Sequence, residues 1–209
     1  VTDSITIANQ ILSGTSAAPR GTLILEPLSV TRRIVIAATT NLVDAQSLHL
    51  TASELDLIIN GFDDGIDSVQ LTNGQLEIVP GRDGITIGRI DGRHEVHIQA
   101  YEFEDSVTFR SPKIGGKFFV EGTLTTSEAD THGANVEVRF VGSGFTNQVG
   151  ADIVTTGDAI LIEDSVQVLE GAISSTYGAN TVYFDTTAGN NPGGANIVIT
   201  GNLFGDASG

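Results

Sequence analysis

The chain has 209 residues, and its 26 acids against 10 bases give a formal net charge of −16. That balance argues against a nucleic-acid binder, which presents a basic face to phosphate, and against electrostatic docking on anionic lipid. With no cysteine there can be no disulfide, thiolate zinc site or cysteine nucleophile, and the longest apolar run, 34–38, is far below the ~20 residues of a spanning helix.

What remains is rich in strand and turn formers. The chain holds 21 isoleucines, 18 valines, 23 threonines and 25 glycines, branched residues for pleated strands and glycine for the turns between them. It begins at Val1, without an initiator methionine or a signal peptide. The expectation is an excised or processed piece of something longer.

Alternating apolar and polar residues predict short strands along the whole chain, each with one buried face. They fall at 4–7, 22–25, 33–36, 47–50, 75–78, 84–87, 95–98, 106–109, 135–138, 159–162, 181–184 and 196–199. Glycine, asparagine or aspartate separates most of them. One helical signal interrupts the series. Thr51-Ala52-Ser53-Glu54 has capping-box spacing, and Leu55, Ile58 and Ile59 succeed it at helical intervals. A short helix is expected over roughly 51–60. No Pro- or Ser-rich linker divides the chain, so 1–209 reads as one domain.

Weak repetition is present. Glu104-Asp105-Ser106-Val107 recurs 59 residues later as Glu163-Asp164-Ser165-Val166. Gly-Ala-Asn ends at Asn135, Asn180 and Asn196, and apolar-x-Gly-x-apolar begins at Val120, Leu169 and Ile199. Unequal intervals suit a solenoid with variable loops. The expected fold is all-β, a right-handed parallel β-helix (β-solenoid) with one short helical insertion; the alternative is a β-sandwich. Coils of about 20 residues would give ten coils and a rod near 50 Å long. Such a rod would expose unpaired strand edges at both ends.

A recognisable stretch lies at 47–126. It contains Ser47-Leu48-His49-Leu50-Thr51, Glu54-Leu55-Asp56, Ile85-Thr86-Ile87-Gly88-Arg89-Ile90-Asp91-Gly92 and Val120-Glu121-Gly122-Thr123-Leu124-Thr125. This resembles the β-helical repeats of giant bacterial surface adhesins of the filamentous haemagglutinin type. Residues 61–83 are longer than the usual connection, as an extra coil or a protruding loop would be. The resemblance implies an extracellular, non-enzymatic structural or adhesive role and carries over no catalytic residue.

Candidate chemistry is sparse. Asp63, Asp64 and Asp67 around Gly65 form the densest acidic cluster, and calcium takes six to eight oxygen ligands of this kind. No EF-hand spacing accompanies them, so calcium is the one metal considered and a solvated loop the default. His94 and His97 stand three apart in a strand pattern, which points the rings to opposite faces rather than at one zinc ion; both read as solvated strand histidines. The Glu104-Asp105 and Glu163-Asp164 pairs could be glycosidase carboxylates. They sit at strand starts, where they read better as corners. Arg32, Arg33, Arg82, Arg89 and Arg93 are expected to pair with acids such as Asp83 and Asp91. Asn135, Asn180 and Asn196 are expected at corners in the left-handed conformation.

The functional expectation is a non-enzymatic segment of a large bacterial surface protein, extracellular, acting as a stiff rod or a fibre or surface-layer building block. Its partners would be other segments of the same long chain, or copies associating end to end or laterally. Two alternatives stand beside it: a glycan-binding adhesin module using Tyr101, Tyr177 and Tyr183, and a polysaccharide-cleaving β-helix enzyme.

Overall fold

The computed structural model describes residues 23–38, 47–62, 69–72, 75–78, 85–103, 107–126, 138–174, 176–188 and 193–205. Their elements, in chain order, begin with β1 (Leu23–Leu25), β2 (Arg33–Ala38), β3 (Ser47–Thr51), helix α1 (Ala52–Phe62), β4 (Val69–Thr72) and β5 (Gln75–Ile78). Next come β6 (Ile85–Ile87), β7 (Glu95–Ile98), β8 (Tyr101–Phe103), β9 (Val107–Arg110), β10 (Lys117–Val120), β11 (Leu124–Thr126) and β12 (Val138–Val141). The series ends with β13 (Asn147–Ala151), β14 (Ile153–Val154), β15 (Ile160–Ile162), β16 (Val166–Ser174), β17 (Gly178–Ala179), β18 (Phe184–Asp185), β19 (Ile197–Ile199) and β20 (Leu203–Gly205). The described residues form an all-β structure apart from α1, and the main sheets are parallel.

Three sheets carry the architecture. The first has six strands in the order β1-β6-β9-β12-β15-β19. The second, of eight strands, runs β3-β2-β7-β10-β13-β16, with β20 and β17 both paired to β16. The third is β8-β11-β14-β18. Successive strands of the chain visit the sheets in turn: β6, β7, β8, then β9, β10, β11, then β12, β13, β14. Almost every pairing in these sheets is parallel; the short β16–β17 pair is antiparallel. The antiparallel sandwich is therefore not the fold.

The register sets the interior. Ile85 pairs Val107, Val107 pairs Val138, Val138 pairs Ile160, and Ile160 pairs Ile197. Residues paired in parallel strands share a face, so one row of aliphatics runs along each sheet. Four fully buried phenylalanines, Phe103, Phe109, Phe118 and Phe140, join the rows from the three sheets. Their rings are 5.3–5.9 Å apart, from Phe103 through Phe109 and Phe140 to Phe118. The enclosed gap bounded by Phe118, Val120, Phe140, Asn147, Val149 and Ile162 leaves no room for a water molecule.

Among the described residues, the levels are longer than the sequence suggests. Neighbouring levels of the first sheet are separated by 22 residues (85 to 107), 31 (107 to 138), 22 (138 to 160) and 37 (160 to 197). The longest described parallel stack, β3-β2-β7-β10-β13-β16-β20, has seven strands and at about 4.8 Å spacing spans roughly 29 Å. The 59-residue repeat is also not structural. Val107 opens β9 in the first sheet and Val166 opens β16 in the second. Similar words occupy different corners because any turn into a strand draws on the same residues.

The helix forms where expected and extends two residues further. Thr51 Oγ1 accepts from the Glu54 amide at 3.3 Å, and the Glu54 carboxylate accepts from the Thr51 amide at 3.0 Å. This reciprocal capping box turns β3 directly into α1. The long 61–83 connection is, in its described part, the end of α1 and then β4 and β5. These two strands pair antiparallel, from Thr72↔Gln75 to Val69↔Ile78, as a separate two-stranded sheet. The strand expected at 4–7 lies outside the described residues, as does most of that at 135–138, where β12 starts at Val138. Of the 181–184 strand only Phe184 is extended into a ladder.

Candidate functional site

The corner between the first and second sheets carries the densest polar network. It is formed at successive levels by residues 26–32, 88–94, 111–116, 142–146, 163–165 and 200–202, shortening from seven residues to three. The Arg89 guanidinium clasps Asp91 through Nε at 2.7 Å and Nη2 at 3.1 Å, and Nη1 donates to the Pro27 carbonyl of the preceding level. This pairing holds the Asp91 carboxyl below its usual range. From the next level, Arg110 donates to the Gly88 carbonyl at 3.0 Å and to Glu26 at 3.1 Å. Gly88 has φ +109°, and a Cβ there would run into the Arg110 carbonyl oxygen. Left-handed backbone and close approach together require glycine.

His94 is buried in this corner. Its Nδ1 donates to the Arg32 carbonyl at 2.7 Å, and its ring lies against the bare Gly92 backbone. Nε2 is buried without a partner. Burial pushes the pKa of His94 below the usual imidazole value, so the ring is neutral near pH 7. The Ser111 hydroxyl accepts from the His94 amide at 2.6 Å and donates to the His94 carbonyl at 3.0 Å. Asn147 makes a similar bridge one level on. It accepts from the Phe118 amide at 3.2 Å and donates to the Glu163 carbonyl at 3.1 Å. The two histidines do point to opposite faces. His94, however, is a core residue and not a solvated strand histidine, because the chain turns inward one residue before β7.

His97 stands on the outer face of the second sheet. Its ring stacks on Phe119 at 4.5 Å and 7°, and Nδ1 lies 2.7 Å from Glu121. In register, this row reads His49, Val35, His97, Phe119, Gln148, Gln167 and Phe204.

The expected site residues divide into several groups. Asp63, Asp64 and Asp67 lie outside the described residues, as do Glu104, Asp105, Asp83, Arg82 and Asn135. Glu163 bonds Arg139 at 3.0 Å, and Asp164, at φ +83°, accepts from the Gly144 amide at 2.6 Å. Both are corner residues. Asn180 has φ +59°, and its side chain accepts from the Gly171 amide at 3.0 Å, as a corner asparagine should. Asn196 is not left-handed; Gly194 is. Arg33 meets Glu95 at 3.5 Å on the exposed face. Among the described residues no group of three or more His, Asp or Glu side chains could hold a metal ion.

The tyrosines separate. Tyr101 donates to Asp56 of α1 at 2.9 Å. Tyr177 and Tyr183 come together edge to face at 5.0 Å, and nearby Asp185 pushes the Tyr183 phenol up. Sequence reasoning does not single out Asp152, which is fully buried between β13 and β14. It accepts from the Tyr183 amide at 2.8 Å and the Ser174 hydroxyl at 3.0 Å. Its only signal is a carboxylate amid apolar neighbours, Ala151 and Ile153.

No family model matches this chain, and neither a curated protein nor a solved structure matches it.

Proposed function

We propose that this chain is a right-handed parallel β-solenoid segment of a bacterial extracellular surface protein, with a structural or adhesive role and no catalysis of its own. The observation that carries the reading is the unbroken parallel register of the first sheet from β1 to β19. Strands that recur in three sheets in fixed rotation are what a coil with three faces leaves, and right-handed crossovers are the rule between parallel strands. Several polar side chains bond one level to the next. Arg89, Arg110, Ser111, Asn147 and Asp164 are thereby committed to holding levels together. Extension along the axis must break whole strand ladders, and the −16 charge keeps the body soluble.

Small-angle X-ray scattering on the purified chain tests this. A profile that fits parallel levels stacked about 4.8 Å apart is the expected result; one that fits only a different strand arrangement refutes the solenoid.

The pair of exposed Tyr177 and half-buried Tyr183 beside Asp185 favours a second reading, a glycan-binding module, since aromatic faces stack on sugars. Incubation with acidic and neutral polysaccharides, with and without calcium, separates the readings. Binding lost on Tyr177→Ala supports the adhesive form, and no binding supports the purely structural one. New chain ends that grow with time would make the protein an enzyme.

A further inference from the structure

We infer that the corner between the first and second sheets is a docking ridge for an anionic lipid surface. This goes beyond the structural role proposed above and rests only on the described stack. Four turns at successive levels form the ridge, and each puts one large apolar side chain into solvent. They are Leu28 (68% exposed), Ile90 (70%), Ile114 (80%) and Phe145 (38%). The first three are the most exposed large apolar side chains among the described residues. The turns touch one another. Arg89 donates to the Pro27 carbonyl at 3.3 Å, the Lys113 amide to the Gly92 carbonyl at 2.9 Å, and the Ser143 hydroxyl to the Gly116 carbonyl at 2.6 Å. Levels about 4.8 Å apart therefore line the four side chains up along the stack. A lone exposed aliphatic is ordinary, whereas an aligned set with a polar rim marks an interaction site.

Charge selects the partner. Segments 26–33, 88–95 and 110–117 hold seven bases and three acids, a local +4 in a chain of −16. All three acids are engaged by bases of the same corner: Glu26 by Arg110, Asp91 by Arg89 and Glu95 by Arg33. Arg93 and Lys113, both exposed, have no acid partner among the described residues. Lys117 Nζ lies 5.9 Å from the centre of the Phe145 ring. The net charge argues against lipid docking by the chain as a whole, and the placement of its bases makes this corner the exception. Aliphatic tips flanked by Lys and Arg suit anionic headgroups: the tips enter the acyl boundary while the bases meet phosphate. The shape agrees, because the most exposed side chains stand on turn tips in a row. A folded protein would need a matching groove to receive them, and a fluid lipid surface needs none. Further coils at either end of a solenoid would leave this corner open, since coils add to the ends of the stack and not along its side.

The absence of tryptophan makes the test direct, because one introduced indole reports its own surroundings. The full chain carrying Ile114→Trp is mixed with vesicles of phosphatidylcholine and phosphatidylglycerol in equal parts, or of phosphatidylcholine alone. On the anionic vesicles only, its emission should shift to the blue and be quenched by brominated acyl chains. Ile173→Trp, exposed on β16 away from this corner, should do neither. Lys113→Gln and, separately, Arg93→Gln should weaken co-sedimentation of the otherwise unaltered chain with anionic vesicles about fivefold. Ile90→Ser should weaken it at least tenfold. Circular dichroism should be unchanged in all three. No binding to anionic vesicles, equal binding to both kinds, or binding without a shift from Ile114→Trp would overturn the proposal. Equally tight binding of soluble polyglutamate would assign the ridge to an acidic polypeptide and also overturn it. Each of these failures leaves the scattering test of the solenoid as it stands.

Discussion

The two ends of the molecule are built from the same residue types and finish differently. At one end β3 adds a strand beyond β2, the capping box turns it into α1, and Leu25, Ile34, Leu48, Leu50 and Leu55 are all buried. At the other, β19 and β20 carry the same aliphatic alternation and leave Ile197 and Leu203 in water. Strand sequence alone does not say whether a level is internal or terminal. The segment next to the strand decides it: a capped helix covers Leu55, and among the described residues no element lies over Ile197 and Leu203.

Truncations should break this comparison most visibly. Phe109→Ala, in the middle of the ring chain, is expected to cost about 3–5 kcal/mol, and Leu55→Ala at the covered end about 2–5 kcal/mol. Leu203→Ala at the open end should cost under about 1 kcal/mol, measured in dilute solution by urea unfolding, because the side chain is already half hydrated. Equal losses for Leu55→Ala and Leu203→Ala would mean that the ends do not differ.

Gly88→Ala sharpens the role of the corner between the first two sheets. Positive φ costs of order 1–3 kcal/mol for a residue with a Cβ, and the Arg110 carbonyl adds a clash. Thermal melts should show a fall of at least that size. A neutral result would mean that the corner does not hold the levels together.

His94 gives a pH-dependent effect of one sign. The buried ring resists protonation, while the unfolded chain titrates near pH 6.5. Below that value the unfolded state binds the extra proton, so stability should fall as the pH drops from about 6.5 toward the lowered folded-state pKa. Arg89 reinforces the neutral ring; Asp91 and Glu26 oppose it. His94→Gln should flatten this part of the stability–pH curve. A curve unchanged in the variant would assign the slope to other groups.

The cap has a modest effect. Thr51→Ala removes one half of the capping box and should cost about 0.5–2 kcal/mol by chemical denaturation. Its loss should loosen α1 before the middle levels, which amide exchange would resolve.

Much of the fold is legible in the sequence. Period-two alternation locates β2, β3, β7, β9, β15 and β19 within a residue or two, and Thr51 with Glu54 marks the helix start. The stacking order is not legible. Repeated words such as Glu-Asp-Ser-Val report the need to turn a corner, and every corner has that need, so Val107 and Val166 fall on different sheets. Level length is hidden for a related reason. The insertions between 126 and 138 and between 185 and 197 change the spacing without touching the strand pattern. The burial of His94 cannot be read because its neighbours Glu95 and Arg93 look like those of a surface strand. Asp152 escapes sequence reasoning because a buried carboxylate is recognised by its partners, Tyr183 and Ser174, which lie 31 and 22 residues away.

The fold consists of levels that stack in parallel register around one core. Nuclear Overhauser contacts between paired strands test this most directly. Parallel-type contacts are expected for Val96 with Phe118, Phe119 with Gln148, and Val107 with Val138, all in one sample. Strong Hα–Hα contacts between these strands, the mark of antiparallel pairing, would contradict the stacked-level structure.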